Sequence, residues 1–193
     1  MFLYKDILKD ESKDHDILRE KSVDVTIPLS NIDKETLKSM NEYLKLGYDE
    51  SYVKKNDIRP GVGIAAPQIG VLKKMFVIMA YDEKGDYHNY IVINPKIIAH
   101  SEEKVYLESG EGCLSVETCY KGYIHRYKRI KANCFLYDID KDELTQTTLA
   151  LKNYLAVIFQ HEYDHLFGVL FFDHIDKFNP FYIPENSNPL KFD

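Results

Sequence analysis

The chain has 193 residues, which one domain accommodates, and 45% of them are hydrophobic, enough to form a sizeable core. Its 25 lysine and arginine residues against 31 aspartate and glutamate residues give a formal net charge of −6, which argues against a general nucleic-acid binder. The longest apolar run, Met75–Tyr81, is far shorter than the roughly 20 residues that a membrane-spanning helix needs.

The amino terminus turns acidic within its first few residues and has neither an apolar stretch nor a small-residue cleavage site. Without a secretory signal, the odd set of Cys113, Cys119 and Cys134 argues against a disulfide framework. We therefore expect a soluble cytoplasmic protein with one domain over residues 1–193. We also expect a monomer that binds neither a membrane nor nucleic acid directly.

An amphipathic helix is predicted over residues 33–46, where apolar side chains recur every three or four positions. Asp33 is a suitable N-cap for this helix, and Gly47 is a suitable stop. The polar residues 48–60 that follow predict a loop into a glycine-rich segment.

Two β-hairpins are predicted after that loop. The first pairs Met75–Ala80 with Tyr90–Ile93 through a turn at Gly85. The second pairs the alternating run Ile130–Tyr137 with Leu144–Leu149. Ile130, Ala132, Cys134 and Leu136 share one face of the alternating run, so Cys134 is most simply a core residue.

One strong helix is predicted in the second half of the chain, over Leu149–Leu166 with Gly168 as its stop. The prolines after Lys177 argue against a further helix. Hairpins with one helix early and one late indicate an α+β fold, in which antiparallel sheets pack around the later helix.

The later helix contains the sequence His161-Glu-Tyr-Asp-His165, an H-E-x-x-H motif. Residues four apart stand one above the other on a helix, so both imidazoles can bind one metal ion. Glu162 can then reach a water at that ion and act as a general base. The competing interpretation is two partly exposed histidines at a chance spacing, but these two lie on the apolar side of the helix.

A third protein ligand is needed, and the sequence leaves its identity open. Phe171 occupies the position of the third histidine in one metalloprotease pattern, and the tail residue Glu185 is the only glutamate that follows the motif. The remaining candidates are His174 and an upstream thiolate. Cys113 is the better thiolate candidate because two glycines precede it in Ser109-Gly-Glu-Gly-Cys113, although a buried structural thiol is the alternative.

Three segments together resemble the peptide deformylases: Gly61-Val-Gly-Ile-Ala-Ala-Pro-Gln68, Glu111-Gly-Cys-Leu-Ser115 and Gln160-His-Glu-Tyr-Asp-His165. The long insert at 33–60 and the form EGCLSV are similar to the second subtype of that family. The resemblance implies an enzyme that hydrolyses the formyl group from the N-terminal formylmethionine of new proteins. Its expected partners are an N-formylmethionyl peptide or nascent chain and, transiently, the ribosome.

The resemblance also implies a set of site residues. A divalent ion, Fe(II) in the cell or Zn, Ni or Co in the purified protein, is held by Cys113, His161 and His165, with a fourth place for water. Glu162 is the base and then the acid. The metal, the Leu114 backbone N–H and the Gln68 side chain stabilise the oxygen on which charge develops.

Substrate contacts are implied for residues of the same segments. Gly61, Gly63 and Gly110 leave room for an extended peptide to bond to the backbone. Val62, Tyr154 and Ile158 are candidates for the methionine pocket, although an apolar helix face is more often core. Glu111 and Gln160 are expected to orient the segments that carry the ligands.

The sequence departs from the family pattern in two places. An arginine common after the second motif is missing from Glu117–Lys121, and Lys121 or Arg126 are the possible substitutes. The proline-rich tail does not resemble the basic helix with which the other subtype docks on the ribosome. Two other functions stay open: a metallopeptidase using His174, and a peptide-binding module with a closed structural metal. The basic stretch 125–131 is interpreted as a solvated edge rather than an RNA contact.

Overall fold

The computed structural model describes residues 2–11, 15–56 and 58–192. The domain predicted over 1–193 and the loop predicted over 48–60 each include residues that lie outside these described ranges. The α-helices are α1 (His15–Leu18), α2 (Asn31–Leu46), α3 (Glu50–Asn56) and α4 (Asn153–His165). Short 3-10 helices span Tyr4–Asp6, Ala66–Ile69 and Phe171–His174. The strands are β1 (Gly63–Ala65), β2 (Met75–Tyr81), β3 (Tyr87–His100), β4 (Lys104–Tyr106), β5 (Arg126–Tyr127), β6 (Arg129–Asp138), β7 (Glu143–Lys152) and β8 (Ser187–Pro189).

The strands form two sheets within the described residues. The larger sheet has the order β1-β2-β3-β6-β7 and is antiparallel throughout. The smaller sheet has the order β5-β4-β8, in which β4 and β8 run parallel. Both predicted hairpins are confirmed, as β2–β3 and β6–β7, and Gly85 turns the first with a φ of 83°.

The larger sheet carries a helix on each face, which confirms the predicted α+β fold. Because side chains alternate along a strand, β2 serves two cores. Met75, Val77 and Met79 belong to the core with α2. Phe76, Ile78 and Ala80 belong to the core with α4, where Cys134 is also buried as predicted. Among the described residues, no helix has the length and apolarity needed to cross a membrane.

Two predictions in the first third of the chain were wrong. Helix α2 begins at Asn31, because the N-cap is Ser30, whose Oγ accepts from the Asp33 backbone N–H at 3.2 Å. The predicted loop 48–60 contains helix α3. The side chain of Asp49 starts this helix by accepting from the backbone N–H groups of Ser51 and Tyr52, at 2.9 and 3.0 Å.

Three further boundaries differ from the prediction. Leu149–Lys152 belongs to β7, because these residues pair with β6, and Asn153 turns the chain into α4 with a φ of 52°. Strand β3 is longer than Tyr90–Ile93 and continues past Pro95 through irregular register shifts. The glycine-rich segment contributes β1, an edge strand that the sequence did not reveal.

Candidate active site

The two motif histidines and one cysteine meet at the carboxyl-terminal end of α4. Helix α4 presents His161 and His165 one turn apart, and the loop before the Cys113–Val116 bridge brings the thiol to them. One ligand atom from each of these three side chains lies within 4.8 Å of the others. The Cys113 Sγ is 3.3 Å from His165 Nε2.

This donor set fits a single metal ion. A tetrahedral zinc ion with ordinary bond lengths would separate a sulfur and a nitrogen ligand by about 3.5 Å, close to the distance found here. The cluster is the one group of three such side chains among the described residues. His174, the alternative third ligand, is not part of it, because its Nε2 lies 2.7 Å from Asp164 Oδ2 instead.

A buried ion network orients His161. Glu111 Oε2 lies 2.8 Å from His161 Nδ1, which leaves Nε2 of that ring for the cluster. Arg126 donates to both oxygens of Glu111, at 2.8 and 3.0 Å, and to Asp164 at 2.5 Å. Burial raises the pKa of Glu111, but the charge of Arg126 and the bond from His161 outweigh it and hold that pKa at about 2.

Gln160 ties α4 to the smaller sheet. Its side-chain oxygen accepts from the Tyr127 N–H at 3.0 Å, and its amide donates to the Tyr127 carbonyl at 2.9 Å. Of the two predicted orienting residues, Glu111 bonds directly to the candidate ligand His161, whereas Gln160 anchors the helix that carries both histidines to β5.

Glu162 points to the side of the cluster that faces β1. The side chain is 4% exposed, and its Oε2 has no hydrogen-bond partner among the described residues. Burial raises the pKa of Glu162 to about 7, against the opposing effect of His161. A Cβ on Gly63 would lie 2.3 Å from Glu162 Oε1, so only glycine lets β1 pass this close to the carboxylate.

The side-chain amide of Gln68 lies beside the thiol. Its oxygen accepts from the Ala65 N–H at 2.8 Å, and its Nε2 lies 3.1 Å from Ser115 Oγ and 3.5 Å from Cys113 Sγ. These bonds fix the orientation of the amide. Leu114 follows the cysteine directly, and its side chain packs against Gly61, where a Cβ would lie 3.0 Å from Leu114 Cδ1.

A cleft of about 320 Å³ opens over the cluster. The predicted substrate-binding residues all line it: Gly61, Val62, Gly63, Gly110, Tyr154 and Ile158. Sequence reasoning missed other lining residues, among them Arg59, Leu107 and Val157. Val157 could have been found, because it lies three residues after Tyr154 and four before His161 on the same helix.

Neither suggested substitute for the missing arginine lies in the cleft. Arg126 is 5% exposed and is bound to Glu111 and Asp164, so it cannot reach a substrate. Lys121 is exposed and lies outside the cleft lining. In the basic stretch 125–131, Arg126 is buried and Arg129 pairs with Glu103 at 2.7 Å.

Compared with known proteins, the sequence and the structure match one family model and three proteins that are all named deformylases. The family model described as polypeptide deformylase matches residues 5–181. A peptide deformylase of Macrococcus caseolyticus is 46% identical over 188 residues, 97% of this chain and 98% of that protein. A Bacillus anthracis protein named peptide deformylase 2 is 44% identical over 191 residues, 99% of this chain and 100% of that protein. The crystal structure of a plant peptide deformylase superposes with a TM-score of 0.67 at 31% identity, covering 89% of this chain and 80% of that one.

Proposed function

The chain belongs to the polypeptide deformylase family, hydrolases that remove the formyl group from an N-terminal methionine, and on this premise we propose how its own residues perform the reaction. We infer that Cys113, His161 and His165 hold one divalent ion, Fe(II) in the cell. The observation that carries this proposal is the convergence of a cysteine sulfur and two imidazoles beside the buried side chain of Glu162. When bound, the ion supplies a Lewis acid that makes water a nucleophile near neutral pH.

Glu162 moves the proton in this proposal. Its unpartnered Oε2 accepts a proton from the attacking water, whose oxygen bonds to the formyl carbon. The same carboxyl group then gives that proton to the amide nitrogen as the carbon–nitrogen bond breaks. The products are formate and a peptide with a free amino terminus. Burial, which raises the pKa of Glu162, suits a carboxyl group that first accepts and then donates a proton.

Gln68 and Leu114 stabilise the charge that develops on the formyl oxygen. The Gln68 amide is already oriented by Ala65 and Ser115, so little reorganisation is needed during the reaction. We assign the second donor to the Leu114 backbone N–H, next to the thiol ligand. Removal of one such donor costs about 10²–10³ in kcat in comparable sites.

The substrate adds to β1 as an extended strand. β1 is an edge strand, and the Met79 N–H already donates to the Val62 carbonyl at 2.9 Å. Along an antiparallel strand, every second residue hydrogen-bonds to the same neighbouring strand. Because Val62 bonds to β2, the backbone N–H and C=O of Gly63 face the open edge of β1. The methionine side chain then packs against the apolar surface that Val62, Tyr154 and Ile158 form in the cleft.

The test is formate release from a formyl-Met peptide under anaerobic conditions, with the metal content measured on the same sample. The wild type is expected to release formate, and Glu162→Gln is expected to keep its metal while losing several orders of magnitude in kcat. Loss of the metal in Glu162→Gln would make Glu162 a ligand and contradict the role assigned to it. We further propose a cytoplasmic monomer of one domain that meets nascent chains directly.

A further inference from the structure

Arg59 is the one lysine or arginine among the described residues that line the cleft, and the reaction does not use it. Its Nη1 donates to the Val116 carbonyl at 3.2 Å and to the Tyr4 hydroxyl at 3.3 Å. Both hydrogen-bond acceptors of this guanidinium among the described residues are uncharged oxygens. An exposed cation at the edge of a peptide-binding cleft can therefore act on a charged substrate side chain.

The direction of the bound peptide follows from β1. Glu162 lies against Gly63, so the formyl end of the peptide is held at Gly63 and the rest extends towards Pro60. Arg59 stands four positions before Gly63 along the cleft lining, and four residues of an extended peptide span about 13 Å at roughly 3.3 Å per residue. The side chains of the third and fourth peptide residues come within reach of the guanidinium.

Among the charged groups of this region that the structure describes, Arg59 is the cation that lines the cleft itself. Glu111, in the cleft wall, is neutralised by its bonds with Arg126. Lys9 lies within electrostatic range of Arg59, but Glu117 and Glu11 lie within range of Lys9 and offset its charge. Glu117 also accepts from the Tyr4 hydroxyl at 3.4 Å.

We propose that Arg59 is a specificity-determining residue, which selects nascent chains with an acidic side chain at the third or fourth position over chains with a basic one. This inference rests on the proposed deformylase reaction and goes beyond it. Because the guanidinium is exposed, the selection is modest: exposed ion pairs correspond to about a two- to fivefold change in affinity. It weakens with salt, since the screening length falls from about 10 Å at 0.1 M to about 3 Å at 1 M.

The experiment compares two peptide series, formyl-Met-Ala-Xaa-Ala and formyl-Met-Ala-Ala-Xaa, in which Xaa is Asp, Ala or Lys. The wild type is expected to favour Asp over Lys by two- to fivefold in kcat/KM, through KM, and the preference is expected to shrink in 1 M salt. Arg59→Met is expected to bring the ratio to about one, and Arg59→Glu to invert it. Lys131→Glu is the matched control, because Lys131 is exposed, lies outside the cleft and changes the net charge equally; it is expected to keep the wild-type ratio.

Two results would overturn the proposal: a wild-type ratio of one at both positions, or an Asp preference that survives in Arg59→Glu. Turnover of the neutral Ala peptide separates this inference from the reaction beneath it. A wild type that releases formate from the Ala peptide without charge selection refutes the role of Arg59 alone. A wild type that releases none refutes the deformylase reaction and this inference with it.

Discussion

Replacement of Arg126 by methionine tests the buried ion network behind His161. Methionine keeps much of the side-chain volume but removes the charge between Glu111 and Asp164. Two carboxylates then remain in the interior without their cation. Breaking a buried ion pair in this way costs about 3–5 kcal/mol of unfolding free energy. For a chain of this size, 1 kcal/mol corresponds to about 2–4 °C in Tm, so we expect Tm to fall by about 6–20 °C.

The chain offers a matched control three residues away. Arg129 pairs with Glu103 at 2.7 Å, but its side chain is 56% exposed. Exposed ion pairs contribute about 0–1 kcal/mol, so Arg129→Met is expected to lower Tm by no more than a few degrees. Thermal unfolding of both variants, prepared without metal, measures the difference. Equal and small losses in the two variants would show that the Arg126 network does not stabilise the protein.

Three further predictions concern the β1 contact, the Asp33 pair and the metal. Gly63→Ala puts a methyl group only 2.3 Å from Glu162 Oε1, so the carboxylate must move. We expect kcat to fall by about 10² or more while bound metal stays near one equivalent; unchanged kcat would refute the contact. Burial alone would raise the pKa of Asp33, but bonds from Lys73 and Ser30 outweigh it and hold that pKa below its ordinary value. The Asp33–Lys73 ion pair therefore stabilises the fold above the unfolded pKa of about 3.9, and this stabilisation is lost as the pH falls through the lower folded pKa. Asp33→Asn is therefore expected to cost about 1–3 kcal/mol in urea unfolding at pH 7 and progressively less below about pH 4; a cost independent of pH would contradict this. The iron-loaded enzyme is expected to lose activity in air faster than the nickel-loaded enzyme, because a thiolate beside Fe(II) is oxidised; equal lifetimes would argue against it.

The local parts of the candidate site were accessible from the sequence. His161 and His165 lie four residues apart on one helix, so helical periodicity alone places both rings on the same face. The place of Cys113 in the cluster depends on tertiary contacts, and the sequence favoured it only through the glycines beside it and the family resemblance. The role of Arg126 was misjudged, because its burial depends on Glu111 and Asp164, which are 15 and 38 positions away.

The predicted boundaries of helices and strands were wrong where two local sequence signals compete. Residues 149–158 contain two short apolar runs, Leu149–Leu151 and Tyr154–Ile158, separated by Lys152 and Asn153, and each run alone fits a buried strand or a helix equally well. Pairing with β6 decides the first part, and the left-handed Asn153 marks the change to α4. Helix α3 is polar and half exposed, so composition suggested a loop, whereas the Asp49 cap was the informative signal.

The most direct test of the central claim, that Cys113, His161 and His165 hold the catalytic ion, is the X-ray absorption spectrum of the zinc-loaded protein. We predict one sulfur at about 2.3 Å and two imidazole nitrogens at about 2.0–2.1 Å. The sulfur contribution is expected to disappear in Cys113→Ser and to remain in Cys134→Ser, because Cys134 lies in the core between β6 and α4. A wild-type spectrum with nitrogen and oxygen ligands only, or one that Cys113→Ser leaves unchanged, would contradict the account.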